Sequence, residues 1–206
     1  TSNTLNRNQL INNVSNDLQE KFGLAEDQFR ITGLAVLYTN MLQSLFDSQI
    51  KSLGIVFGVI LLMFLVIFRS IKVAVIGLIP NILTASSVLG LLGILSIPLD
   101  IMTITVAAIS VGMAVDNTIH YLYRYKVEIS NGVAPSDAIL KSHTTIGRAI
   151  LYTALTISIG FLIFSFSNFS PTVLFGTFTS LAIFTSLVAT LILLPLLLQS
   201  FKAFDS

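Results

Sequence analysis

The sequence predicts an all-α, polytopic membrane protein with five spanning helices, and three observations carry this. Hydrophobic residues make up 54% of the 206 positions and charged residues only 10%, with a mean hydropathy of +0.88. A water-soluble domain carries about 25% charged residues. The apolar residues fall into five runs of roughly twenty, longer than any soluble core uses. Short polar or basic segments separate the runs. The formal net charge of +1 gives no basis for a nucleic-acid partner, and the absence of cysteine excludes disulfides and thiolate metal sites.

Residues 1–50 are polar by comparison and are expected to be the end of an external α/β domain with its lead-in helix. Leu10, Ile11, Val14, Leu18 and Phe22 recur at helical spacing, and Gly23 follows as a C-terminal cap. Phe29–Thr32 reads as a short strand ended by Gly33. Leu34, Leu37, Met41, Leu42, Leu45 and Phe46 form a second amphipathic helix that feeds the first span. The sequence opens at Thr1 without an initiator Met or a signal peptide, so the expectation is a piece of a longer protein.

A transmembrane domain is expected over 51–202, with spans at about 53–68, 73–94, 101–122, 146–164 and 173–198. Arg69-Ser70 closes the first span, Pro80-Asn81 lies in the second, and Pro195 sits near the end of the fifth. At about 1.5 Å per residue each covers a hydrocarbon core of roughly 30 Å, allowing for tilt or ragged ends. Arg69, Lys72, Arg124, Lys126, Lys141, Arg148 and Lys202 fall on loops of one side, whereas Leu95–Asp100 and Ser165–Pro171 hold no Lys or Arg. The positive-inside rule then places the basic loops and the carboxy terminus in the cytoplasm, and residues 1–50 outside a cell (inner or cytoplasmic) membrane. Tyr121, Tyr123 and Tyr125 suit an interfacial aromatic belt beside Arg124 and Lys126. In the longest basic loop, Asn131-Gly132 signals a turn. Ser136 or Asp137 then caps an amphipathic helix read as lying along the membrane surface, whose Ala138, Ile139, Ser142 and Ile146 continue into the fourth span. His143, in that helix, has no evident role.

Asp116 lies in the third span and is the only one of ten acidic residues inside a spanning run. A carboxylate at that depth costs about 2.5–3.5 kcal/mol on insertion scales, and such residues mark functional sites by default. Ala108, Gly112, Asp116 and His120 are spaced by four and share a helix face, on which the small residues allow close approach of a neighbour. The fourth span offers a matching stripe of Ala149, Thr153, Thr156 and Gly160. The two hydroxyls would bond the carboxylate or hold a water beside it; equally, each would bond the carbonyl four residues back in its own helix. Asn117 is read as an interhelical hydrogen-bond residue, and His120 as either a proton-access group or a plain interfacial histidine. A carboxyl that loads and unloads a proton between packed helices is the physical core of proton-coupled transport. A structural Asp116, paired with a cation on a helix beyond this sequence, is the plain alternative.

Other chemistries lack their residues. An intramembrane aspartyl protease needs two carboxyls at one site, a metal site needs several converging ligands, and the spans supply Asp116 and His120 alone. No enzyme, metal or cofactor is expected.

Several motifs occur in order: Thr32-Gly33-Leu34, Phe68-Arg69-Ser70, Ile79-Pro80-Asn81, Gly93 with Ile97-Pro98-Leu99, then Gly112 through His120 and Tyr123-Arg124-Tyr125. Gly147-Arg148-Ala149-Ile150, Thr153-Ala154-Leu155-Thr156, Gly160-Phe161, Pro171, Phe175-Gly176 and Leu194-Pro195 complete the set. With these, residues 30–206 resemble the carboxy-terminal half of resistance-nodulation-division (RND) superfamily transporters, in particular their large lipid-exporter (MMPL-like) branch. The resemblance implies helices eight to twelve of a twelve-helix bundle built from two parallel repeats, with residues 1–50 ending an external porter domain. It also implies a proton-driven exporter of hydrophobic or lipid-like substrates, energised by the proton gradient. Asp116 would be the proton-relay residue, with Asn117, Thr153, Thr156 and His120 in support. Relatives often carry Asp or Tyr where this sequence has Asn117, which leaves one ionisable group at that point. The implied partners are membrane lipids, a hydrophobic substrate, the amino-terminal half on the same or a separate chain, and further copies in an oligomer. Protein-secretion accessory subunits and sterol-sensing domains share the bundle and give the alternative reading, an accessory or lipid-sensing membrane domain.

Overall fold

Hydrogen bonds closed within each segment are the natural way to carry a backbone through lipid, and the computed structural model consists of helices and turns. It describes residues 7–23, 25, 33–97 and 101–201, with no strand among them. The strand expected at Phe29–Thr32 lies outside the described residues, and an external α/β domain is therefore not seen. The helices are α1 (Arg7–Phe22), α2 (Leu34–Phe68), α3 (Ile71–Ile94), α4 (Ile101–Ser130), α5 (Pro135–Ser142), α6 (Arg148–Leu162), α7 (Ser170–Val188) and α8 (Leu194–Ser200). A π-turn at His143–Gly147 joins α5 to α6, and another at Ala189–Leu193 joins α7 to α8. Five stretches are long and apolar enough to cross a membrane: Asp47–Phe68, Ile71–Ile94, Met102–Ser130, Pro135–Phe166 and Ser170–Ser200. Each overlaps one span expected from the sequence.

The chain divides into two compact units, Thr1–Lys51 and Ser52–Ser206. In the first, α1 ends where Gly23 adopts a left-handed φ of 64° and donates to Gln19 O at 3.1 Å. The lead-in helix and first span prove to be one continuous α2, because Leu34–Phe68 contains no proline to break it.

Within the second unit, α2 stops at Arg69, whose φ is 52°. Ser70 is extended and its side chain accepts from Val73 N at 3.4 Å, capping α3. Pro80 removes a backbone donor inside α3, and the same turn is braced by side chains. Asn81 Nδ2 donates to Gly77 O at 2.7 Å, and Thr84 Oγ1 to Pro80 O at 2.9 Å. The core at the basic-loop end is built from Phe64 and Phe68 of α2, Val73 and Ile76 of α3, Tyr121 and Leu122 of α4, and Leu194 and Leu198 of α8. Gly77 is what lets three helices meet there. A Cβ at that position would lie 2.8 Å from Leu122 Cδ1 and 2.9 Å from Phe64 Cε2. A second cluster, Val88, Leu92, Val106, Phe178 and Ala182, closes the opposite end.

The central helix is α7, which packs on α3, α4 and α6. Its contact with α6 is close because Gly176 has no side chain: a Cβ there would fall 2.5 Å from Phe161 O and 2.6 Å from Phe164 Cβ. The sequence expectation of a helix between the third and fourth spans changes at its start. Pro135 takes the first helical position, with Ala134 as cap residue, so Ser136 and Asp137 lie inside the first turn and no side-chain cap bond forms. The helix then runs through the π-turn into α6, as its sequence suggests, with Ala138 and Ser142 buried. Similarly, α4 continues two turns past its expected end, to Ser130, and stops at Gly132 with φ 79°.

The Gly176 approach has a direct test. In the complete protein, Gly176→Ala should lower thermal stability by about 1–3 kcal/mol, since backbone must shift to admit the methyl. Gly58→Ala, at a position with no atom within 4 Å, should be neutral. Calorimetry in detergent reads both, and equal midpoints for the two variants would refute the tight α6–α7 contact.

Candidate functional site

Four-residue spacing on α4 places Ala108, Gly112, Asp116 and His120 in one column, and all four are exposed on the surface of the described bundle. The Asp116 side chain is 72% exposed and that of His120 59%. Asp116 Oδ1 lies 3.4 Å from His120 Nε2, one turn along the helix. A Cβ on Gly112 would meet nothing within 4 Å. This face is thus an exposed, small-residue surface with one carboxylate and one imidazole along it. A hydrocarbon environment for such a face is costly, so a protein or water environment is the one that suits it.

The next residue points the other way. Asn117 is buried, and its Nδ2 donates to Ser186 Oγ of α7 at 3.4 Å. It therefore secures α4 to α7 directly behind the carboxylate.

The fourth-span stripe is not brought to Asp116. Helices α4 and α6 each pack against α7, which comes between them. Thr153 Oγ1 donates to Ala149 O at 2.9 Å, and Thr156 Oγ1 to Tyr152 O at 2.8 Å. The hydroxyl protons are committed to their own helix, and the hydrogen-bond network expected around the carboxylate does not form among the described residues. The physical reason is the identity of the neighbour. α6 meets α7 through Ile150, Ala154 and a Ser158–Ser180 hydroxyl pair, which turns Ala149, Thr153, Thr156 and Gly160 outward. A Cβ on Gly160 also meets nothing within 4 Å. Two small-residue stripes, one on α4 and one on α6, are therefore both presented to the outside of this half.

Two polar clusters at the basic-loop end escaped sequence reasoning. Buried Glu128 is paired with Arg124 Nη2 one turn before it and lies 3.6 Å from Lys141 Nζ of α5. His143 lies between three elements. Its Nδ1 is 2.7 Å from Tyr121 Oη of α4 and 3.1 Å from Ile139 O, and its Nε2 is 2.9 Å from Leu191 O in the second π-turn. The available signal was phase: Ile139, His143 and Ile146 follow one helical face, as do Tyr121, Tyr125 and Glu128. No group of three or more His, Cys, Asp or Glu side chains that would hold a metal ion occurs among the described residues.

Comparison with known proteins gives this geometry a setting. A protein of Methanocaldococcus jannaschii named as a membrane protein, MJ1562, is 29% identical over 139 residues, covering 68% of this chain and 36% of its own length. A protein of Mycobacterium leprae named as a transport protein, MmpL11, is 24% identical over 212 residues, covering 95% of this chain and 20% of its own length. The chain thus spans about a third and a fifth of these relatives. The family model described as the MMPL family matches residues 3–204. With five membrane-crossing helices and a match over nearly its whole length, this chain is a multi-pass membrane protein of the MMPL family.

Proposed function

We propose that the chain is the carboxy-terminal membrane half of an RND-type exporter driven by the proton-motive force, and that Asp116 carries the proton. The observation behind this reading is the outward column on α4, a carboxylate set among small residues and turned away from its own bundle. Family membership and the relative named as a transport protein support it. The amino-terminal half of the transporter, on the same or a separate chain, would cover the α4 and α6 stripes. A hydrophobic or lipid-like cargo follows from the exporter branch that the sequence resembles.

The chemistry is simple. Ionised Asp116 needs a donor, which His120 supplies from its own helix and which the facing half would supplement. Protonated Asp116 is neutral and tolerates a drier, closer contact. Taking up and releasing one proton therefore changes which packing of the two halves is favoured, and alternating access needs that change. Asn117 holds α4 against α7 while this happens. Thr153 and Thr156, whose protons are already committed, offer acceptor lone pairs to the other half. The basic loops and carboxy terminus would face the cytoplasm and residues 1–50 the outside.

In the complete transporter reconstituted in proteoliposomes, Asp116→Asn should cut gradient-driven export by about 100-fold or more while insertion and folding persist. Wild-type transport by that variant would end the proposal. Gly112→Leu, which adds bulk to the face beside the carboxylate, should weaken association of the two halves and reduce the yield of folded transporter. Unchanged yield and unchanged export would place this face against lipid instead.

A further inference from the structure

The His143 cluster lies outside the Asp116 reading and does not depend on it. The contacts of the ring favour one neutral tautomer: both nitrogens face a carbonyl, but only Nδ1 also has a hydroxyl that can donate to it. Leu191 O is a carbonyl and only accepts, so Nε2 carries a proton and donates to it at 2.9 Å. In the neutral imidazole Nδ1 is then an acceptor, and it takes the proton of the Tyr121 hydroxyl at 2.7 Å. Tyr121 is fully buried, so its hydroxyl has no water to fall back on. The ring thereby ties α4 to the first π-turn, where His143 resides, and to the second, which supplies Leu191. A π-turn leaves the regular ladder of a helix locally out of step, and here one carries the ring and the other its carbonyl acceptor.

A second acceptor is already in position. Ile139 O lies 3.1 Å from Nδ1, and against the neutral ring it faces a lone pair instead of a proton. A second proton on the imidazole inverts this. Nδ1 becomes a donor, Ile139 O becomes its acceptor, and the buried Tyr121 proton loses the acceptor it had. We propose that His143 is a proton-operated joint that holds α4 against the two π-turns when neutral and releases Tyr121 when doubly protonated. Its ligand is the proton, and what it controls is the position of α4, the helix that carries Asp116.

The charged surroundings leave the ring free to act in this way. From α4, Tyr121 faces it with Tyr125 one turn on, while Glu128 is engaged by Arg124 and Lys141. Neither α7 nor the second π-turn nor α8 contains a titratable side chain. On the ring's own segment, Lys141 turns to Glu128 and Arg148 is exposed. No carboxylate among the described contacts competes with Tyr121 and Ile139 O for Nδ1.

The test uses the complete protein in nanodiscs with 15N-labelled histidine, the His143 signals being assigned by their loss in His143→Gln. At neutral pH, His143 should show one tautomer, protonated at Nε2. Between about pH 8 and pH 5, hydrogen exchange of the amides of residues 138–147, corrected for intrinsic rates, should accelerate severalfold. His143→Gln keeps an amide donor for Leu191 O but does not titrate, and should abolish that acceleration. Tyr121→Phe should show the fast exchange already at neutral pH, together with a mixed tautomer population. An Nδ1-protonated ring in the wild type, or an undiminished pH response in His143→Gln, overturns the joint. Either result leaves the Asp116 reading untouched, because export by Asp116→Asn is measured separately.

Discussion

A spanning helix has no water to satisfy its polar side chains, and most of this bundle answers that constraint within single helices. Thr84, Ser110, Ser142, Thr153, Thr156 and Thr185 each donate to the carbonyl four residues back. Such a residue carries its own remedy and makes no demand on its neighbours. A carboxylate has no such recourse. Ionised, it only accepts, and the backbone of its own helix offers no free donor at mid-span. Asp116 finds one partner on its own helix, His120 Nε2 at 3.4 Å, and the rest of its surroundings come from beyond α4.

The helix has two sides. Behind Asp116, the Asn117–Ser186 bond and the packing of α4 on α7 hold the helix to its own half. In front, the small residues leave a face that another helix can approach. Neighbouring positions on α4 therefore have opposite duties, one anchoring and one responding. The arrangement suits a residue whose charge changes while its helix stays in register.

The spans were legible because their signal is thermodynamic and one-dimensional. A long apolar run between short polar loops has few alternatives, and each of the five apolar stretches overlaps one expected span. Helix ends were less legible, since α2 and α4 run past the lipid into polar sequence that is equally able to form helix. Partnership was least legible of all. Spacing by four says which residues share a face but not which helix meets it, and a small-residue stripe reads the same whether it packs within the half or against a second one. The expected pairing of α4 with α6 fell for that reason, once α7 came between them. His143 was missed because phase puts it and Tyr121 each on a helix face without saying that the two faces meet, and its other partner is a main-chain carbonyl four residues before Pro195.

The turn between α2 and α3 has a bearing on how those two helices can move. Only Arg69 and Ser70 separate two spans of 22 and 24 residues, and the core bonds the hairpin through Phe64 and Gly77. A link that short prevents the second helix from wandering once the first is in the bilayer. The two spans are therefore tethered as one hairpin around a bend that carries the Arg69 guanidinium, and neither can shift along its axis without carrying the other with it.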